Sequence, residues 1–216
     1  MKTSSSPKVT IQNVVATARF NQRFDLNAIT RAFPHVEYRP ERFPGLVFRL
    51  EKPKTATLIF TSGRMVCTGA KSEGEARKAI SKVARELWKA GVILHEKPEI
   101  TIQNIVASMD LGDVVVDLEE IVNASPNLGG RVMYEPEQFP GLIYRMIDPK
   151  VVFLIFTSGK MVCVGAKKEV SIYRTVGNLV TLLDENKLIM PRSERLKAVL
   201  NPLEEKQKIE EAEKDE

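Results

Sequence analysis

The side chains best suited to chemistry in this chain are cations, and they come in matched sets. Arg49, Arg64 and Lys71 recur 96 residues later as Arg145, Lys160 and Lys167. Placed at the ends of strand-like segments, such groups suit neutralisation of phosphates rather than bond-making. Groups that could make or break bonds are poorly arranged. Cys67 and Cys163 belong to no CxxC motif or Cys/His cluster, and His35 and His95 are isolated. The Ser158-Gly159-Lys160 and Gly-Ala-Lys triplets do not complete the G-x-x-x-x-G-K-[ST] pattern of a phosphate-binding loop. No nucleophile–base pair and no metal-ligand set emerges, so neither an enzyme nor a cofactor is expected. Both cysteines read as small buried hydrophobes on strands in a reducing compartment.

The elements that must position those cations are written twice. Phe60-Thr-Ser-Gly-Arg-Met-Val-Cys-Thr-Gly-Ala-Lys71 returns as Phe156-Thr-Ser-Gly-Lys-Met-Val-Cys-Val-Gly-Ala-Lys167. Upstream lie Phe43-Pro-Gly-Leu-Val-Phe-Arg49 and Phe139-Pro-Gly-Leu-Ile-Tyr-Arg145. Before those come Thr10-Ile-Gln-Asn-Val-Val-Ala16 and Thr101-Ile-Gln-Asn-Ile-Val-Ala107. Three matched blocks in one order mean an internal duplication. The reading divides the chain into a disordered tail at 1–8, a first repeat at 9–98, a second at 99–190, and a charged, disordered tail at 191–216.

Charge separates the copies. Residues 9–98 carry 16 Lys/Arg against 8 Asp/Glu, whereas residues 99–190 carry 8 against 12. A basic first repeat points to a polyanion, and the acidic second repeat to a different partner. No apolar run approaches the ~20 residues of a membrane span, and the polar opening MKTSSSPK is no secretory signal.

Within each repeat, periodicity predicts a strand (9–18; 100–109), a short helix (25–32; 117–124) and four short strands. Those strands fall around 36–39, 46–50, 55–60 and 65–68, and again at 132–134, 142–147, 151–156 and 161–164. A long amphipathic helix follows, from Ser72 to a C-cap at Gly91 and then over 169–186. The offset between copies grows from 91 to 96 residues, and the five extra residues are expected in the loop Asn123–Gly130. Alternation leaves both faces of strands such as Thr57–Phe60 and Met65–Thr68 apolar, while the helices suffice to cover one. The second face packs against a partner subunit or the other repeat, or is kept for a ligand; the flanking cations tilt this modestly toward nucleic acid. The rival is a protein-interaction module with the apolar face as a dimer seam.

The paired blocks resemble the TATA-box-binding protein core, especially its archaeal form, over roughly residues 9–190. This family is the type case of minor-groove binding with apolar wedges. The resemblance implies an α+β fold in which two pseudo-symmetric repeats form one curved antiparallel sheet, a saddle with helices on the convex face. It implies a transcription initiation factor that binds promoter DNA as a monomer. Phe43, Phe60, Phe139 and Phe156 match the intercalating wedges, 17 residues apart in each repeat. Asn13 and Asn104 match base-contacting amides. Val15, Val106, Leu58, Leu154, Val66 and Val162 match the apolar groove floor, and Thr68 a polar base contact that Val164 cannot make. Arg49, Arg64, Lys71, Arg145, Lys160 and Lys167 match phosphate contacts, and Arg42 adds one that Gln138 lacks. Glu135 and Glu137 match the docking site of a transcription factor B-like protein, through which RNA polymerase is recruited indirectly. The expected place is the cytoplasm of an archaeal cell, in association with the nucleoid, and the nucleus only for a eukaryotic source.

Overall fold

The structure, a computed structural model, describes residues 7–195. Its first repeat runs β1 (Lys8–Arg19), α1 (Leu26–Ala32), β2 (Leu46–Leu50), β3 (Thr55–Ile59), β4 (Arg64–Ala70) and α2 (Glu73–Lys89). The second runs β5 (Glu99–Asp110), β6 (Val114–Val116), α3 (Leu118–Ala124), β7 (Gly130–Met133), β8 (Leu142–Met146), β9 (Val151–Ile155), β10 (Lys160–Ala166), α4 (Glu169–Glu185) and β11 (Ile189–Pro191). Helix starts are set locally. Asp25 caps α1 by accepting the Ala28 N–H at 3.0 Å, and Asp117 caps α3 by accepting the Glu120 N–H at 3.1 Å.

Nine strands form one antiparallel sheet in the order β2-β3-β4-β1-β5-β10-β9-β8-β7. The order reads outward alike from a central seam, where the 12-residue strands β1 and β5 pair along their whole length. One sheet face is buried by alternate residues: Val14, Ala16 and Ala18 on β1, Met65 and Cys67 on β4, Ile105 and Ala107 on β5, Met161 and Cys163 on β10. Against it pack the apolar stripes of α2 (Ala76, Ala79, Ile80, Val83, Leu87) and α4 (Ile172, Val176, Leu179, Leu183). The result is an α+β saddle with the helices on its convex side. Cys67 and Cys163 are free and wholly buried, and burial pushes both thiols up, that of Cys163 to about 12.

Four expectations need correction. The strand expected at Val36–Arg39 is a single bridge between Glu37 and Val47; Pro34, which lacks a backbone donor, stands where β7 begins with Gly130. Its counterpart β7, free of proline, pairs with β8 over four residues. The five extra residues do not share one loop. Asp25 and Asp117 cap equivalent helices 92 apart, so one residue enters before α3 and four enter after it, around the 3-10 turn Ser125–Asn127. The strands β6 and β11 pair as a second small sheet that the short run Val114–Val116 did not announce. The tail placed from residue 191 begins inside that sheet, and Arg192 and Arg195 lie 3.4 and 3.8 Å from Asp113 and Asp117. Residues 1–6 and 196–216, where the rest of both tails falls, lie outside the described residues.

The long helices end alike but with different residues. After α2, Gly91 adopts φ +84°, and the Val92 N–H reaches back to the Leu87 carbonyl at 3.0 Å. After α4, Lys187 takes the same place at φ +57°, with the Leu188 N–H on the Leu183 carbonyl at 2.9 Å. A side chain in the left-handed region costs roughly 1–2 kcal/mol that glycine avoids. Lys187→Gly is therefore expected to stabilise the fold by up to about 1 kcal/mol, read as a higher urea midpoint with an unchanged slope.

Candidate nucleic-acid interface

The sheet face away from the helices is assembled by register. Asn13 stands opposite Val106, and Val15 opposite Asn104, across the β1–β5 seam. Moving outward, Leu58 faces Val66 in the first repeat and Leu154 faces Val162 in the second. All eight side chains, with Thr68, are half-buried on a face no helix covers. The residues expected to form a groove floor are thus brought onto one continuous, mostly apolar surface.

The phenylalanines flank it in two pairs of the same geometry. Phe43 and Phe60 have ring centroids 5.8 Å apart at 67°, and Phe139 and Phe156 lie 5.8 Å apart at 66°. Backbone turns hold them. The Phe43 N–H donates to the Arg39 carbonyl and the Phe139 N–H to the Glu135 carbonyl, both at 2.9 Å. Phe60 and Phe156 open the turns to β4 and β10, and their N–H groups donate to the carbonyls of Arg64 and Lys160. Gly45 and Gly141 form the floor beneath each pair. A Cβ at Gly45 would sit 2.6 Å from Phe43 and 2.9 Å from Phe60; one at Gly141 would sit 2.7 Å from Phe139 and 2.9 Å from Phe156. The Pro-Gly after each first phenylalanine is therefore a packing requirement as well as a turn.

The polar centre is less symmetric than the backbone. Asn13 Oδ1 accepts the Gly69 N–H at 2.7 Å, and Asn104 Oδ1 accepts the Gly165 N–H at 2.8 Å. These bonds fix which end of each amide is nitrogen. Asn13 Nδ2 then lies 3.2 Å from Thr68 Oγ1. Val164 offers no such oxygen, so Asn104 Nδ2 has no partner among the described residues. Two further polar pairs share this strip. Gln12 donates to Ser108 and Gln103 to Thr17, each at 2.7 Å and related by the pseudo-two-fold. Sequence reasoning missed Thr17 and Ser108, although each lies four residues beyond its asparagine and so on the same strand face.

The cations differ in freedom. Arg64, Lys160, Arg145, Lys167 and Arg42 are exposed without a side-chain bond among the described residues. Arg49 pairs with Glu37 at 3.2 Å, an exposed contact worth little to stability; Met133 stands at the equivalent place beside Arg145. Lys71 rests its Nζ on the Gln12 carbonyl at 2.7 Å. Arg49, Lys71 and Lys54 line one open groove of about 1010 Å³ with Asn13 and Thr68. Lys54 was not singled out as a site residue from sequence, where Lys52-Pro53-Lys54 read only as a turn between strands. Glu135 and Glu137 are exposed on the turn before Phe139, where the first repeat has Arg39 and Glu41.

Two copies of one unit, fused at a strand seam into a saddle with an uncovered apolar face, define the class of protein to which this chain belongs. The family model for "Transcription factor TFIID (or TATA-binding protein, TBP)" matches residues 8–90 and 99–186. The chain is similar to the TATA-box-binding protein of Pyrodictium occultum, at 50% identity over 86% of this chain and 90% of that one. It is similar to that of Sulfurisphaera tokodaii at 50% identity, over 86% and 91%. The solved structure of Methanococcus jannaschii TBP superposes with a TM-score of 0.72 at 47% identity, covering 82% of this chain and 99% of that one. The chain belongs to the TATA-box-binding protein family.

The glycine floors give a direct test of the paired rings. Gly45→Ala with Gly141→Ala should leave far-ultraviolet circular dichroism and melting within a few degrees of wild type, because the clashing atoms are ring edges. It should shift and broaden the phenylalanine resonances of the four residues in aromatic carbon–proton correlation spectra, which unchanged positions would contradict.

Proposed function

We propose that this protein is a general transcription initiation factor that binds the minor groove of A·T-rich promoter DNA as a monomer, in an archaeal cell, and performs no covalent chemistry. The observation that carries the reading is the pair of matched phenylalanine clusters, each set on a glycine floor, at equivalent places on one uncovered apolar face. Flat, rigid, apolar rings held out from a surface suit insertion between base steps, where they unstack the bases and kink the duplex. Between them, Val15, Val106, Leu58, Leu154, Val66 and Val162 replace water along the groove. Arg42, Arg49, Arg64, Lys71, Arg145, Lys160 and Lys167 neutralise flanking phosphates, fixing position without reading sequence.

The minor groove of A·T pairs offers only acceptors, adenine N3 and thymine O2. Asn104 Nδ2, unpartnered among the described residues, donates to one of them. In the first half the donors are Thr68 Oγ1 and Asn13 Nδ2, already in contact with each other at 3.2 Å. The two half-sites are therefore read unequally at the centre. Selectivity comes chiefly from the low cost of unstacking steps such as TA. Glu135 and Glu137, on the exposed turn before Phe139, dock a transcription factor B-like protein, which brings in RNA polymerase. The basic turn of the first repeat, with Arg39 and Arg42, disfavours the same partner and so gives the complex a direction.

Replacing Phe139 and Phe156 together by alanine should abolish bending of an A·T-rich duplex. It should also weaken binding by at least roughly 1.4 kcal/mol, tenfold in affinity. Energy transfer between dyes at the duplex ends checks this, and unchanged transfer sinks the wedge assignment. Glu135→Arg with Glu137→Arg should leave duplex binding within about twofold, since rim charges contribute modestly. The same variant should lose the ternary band with the B-like factor in a gel shift; a retained band refutes the docking assignment.

A further inference from the structure

The two repeats meet twice, once in front and once behind. In front, β1 and β5 pair, but the register slips between Ile11 and Asn13 and again between Val15 and Ala16. Bulges interrupt the ladder, bend a strand and add local twist, so the angle between the two halves of this sheet depends on what packs behind the seam as well as on the ladder. Behind, the N-termini of α2 and α4 face each other. The Glu169 N–H donates to Glu73 Oε1 at 2.7 Å, and the Glu73 N–H donates to Glu169 Oε1 in return. Each helix thus supplies a carboxylate to the first-turn donors of the other, where backbone N–H groups lack intrahelical partners and the helix dipole favours negative charge. Both side chains are half-buried.

The dependence is unequal. α2 has its own cap, with Ser72 Oγ accepting the Glu75 N–H at 3.0 Å, whereas Lys168 gives α4 no side-chain cap. Glu73 therefore stands in for the cap that α4 lacks. Arg77 adds a third tie across the junction, donating to the Ile100 carbonyl of β5 at 3.2 Å.

We propose that Glu73 and Glu169 are positioning residues for DNA bending: their crossed caps set the angle between the two repeats and so the separation of the two phenylalanine pairs. The inference rests on the wedge reading above. Geometry shows why the angle matters. The Phe43/Phe60 pair adjoins β2 and β3, two to three strands from β1, a lever of roughly 10–14 Å. A rotation of about 15° about the seam moves such a wedge by about 3 Å, close to the ~3.4 Å between stacked bases. A saddle that flexes that much follows a straight duplex instead of imposing a kink. Holding the angle beforehand moves that cost from binding to folding.

The crossed caps rest first on acceptor oxygens, to which charge only adds, and this supplies the control. Glu73→Ala with Glu169→Ala removes both acceptors, whereas Glu73→Gln with Glu169→Gln keeps both and removes the charge. Spin labels at Lys89→Cys and Glu185→Cys, exposed at the far ends of α2 and α4, read the angle in the free protein; the buried native cysteines stay unlabelled. The alanine pair should broaden the distance distribution and lower affinity for a straight duplex by about tenfold, and the glutamine pair should restore both. On a duplex carrying mismatches at the wedge steps, already kinkable, the loss should shrink to about twofold, which lowered stability alone would not produce. A distribution as narrow as wild type, a glutamine pair as broad as the alanine pair, or equal losses on both duplexes would overturn the proposal. Should the double alanine variant fail to fold, single Glu73→Ala, which opens only the α4 cap, is measured the same way. If the unsubstituted protein leaves DNA straight, the wedge reading fails by itself, and the label distances still decide the crossed caps.

Discussion

Pairing β1 antiparallel to β5 places Asn13 opposite Val106 and Val15 opposite Asn104, and so sets an approximate two-fold axis through the uncovered face. Everything else radiates from that seam. Each repeat adds strands outward in mirrored order, so equivalent phenylalanines end at equivalent distances on either side. A strand's side chains alternate strictly, and a one-residue slip would send the valines into the helix-facing core and the alanines out. The bulges within the seam keep that alternation matched to both neighbours while bending the sheet into a saddle.

The scaffold is symmetric, but the chemistry on it is not. Backbone features survive duplication because both copies must solve the same packing problem. Glycine floors, Asp helix caps and the asparagine oxygens on Gly69 and Gly165 all recur. Divergence collects in side chains on the uncovered face and its rim, where a local partner can be lost without disturbing the core. Thr68 becomes Val164, the Glu37 partner of Arg49 becomes Met133 beside Arg145, and Arg39 becomes Glu135. Even a strained position is tolerated when the backbone demands it, as Lys187 shows in the place of Gly91.

Much of the architecture was legible because the chain states it twice. Strand alternation at β3, β4, β9 and β10 and the 3.6-residue stripes of α2 and α4 each occur in two independent copies, so chance patterns cancel. Period set Leu58 with Phe60 and Val66 with Thr68, while the candidate floor as a whole came from the family resemblance, because the slips in the seam strands break a simple alternation. Less legible were elements stabilised from outside themselves. β6 is three valines, too short to carry a period, and exists because β11 pairs with it and Thr157 accepts the Val116 N–H at 2.9 Å. The crossed caps of Glu73 and Glu169 were invisible for a related reason. Glutamates in a first helical turn are ordinary, and only the meeting of two helix ends gives these a partner. The freedom of each cation was equally hidden, since Lys71 and Arg49 read like their counterparts until their neighbours are known.

Exposed phenylalanine is a liability that this surface manages by pairing. A lone ring on a water-facing turn collapses onto nearby apolar surface or samples several rotamers, and ordering it on binding would cost roughly 0.5–1.5 kcal/mol per side chain. Here each ring restrains the other edge-to-face across 5.8 Å, above a glycine that admits no alternative packing beneath them. Phe43, still 40% exposed, gains its order from Phe60 and from the bond of its N–H to Arg39. Order imposed on folding is not lost again on binding, so on the proposed wedge role more of the apolar contact is available to unstack a base step. The same logic extends from side chain to domain. On the proposal above, rings fixed to turns, turns fixed to a registered sheet, and the two halves of that sheet fixed to each other by crossed helix caps form a chain of rigid links. A kink can be imposed on a stiff polymer only if no link in that chain yields before the duplex does.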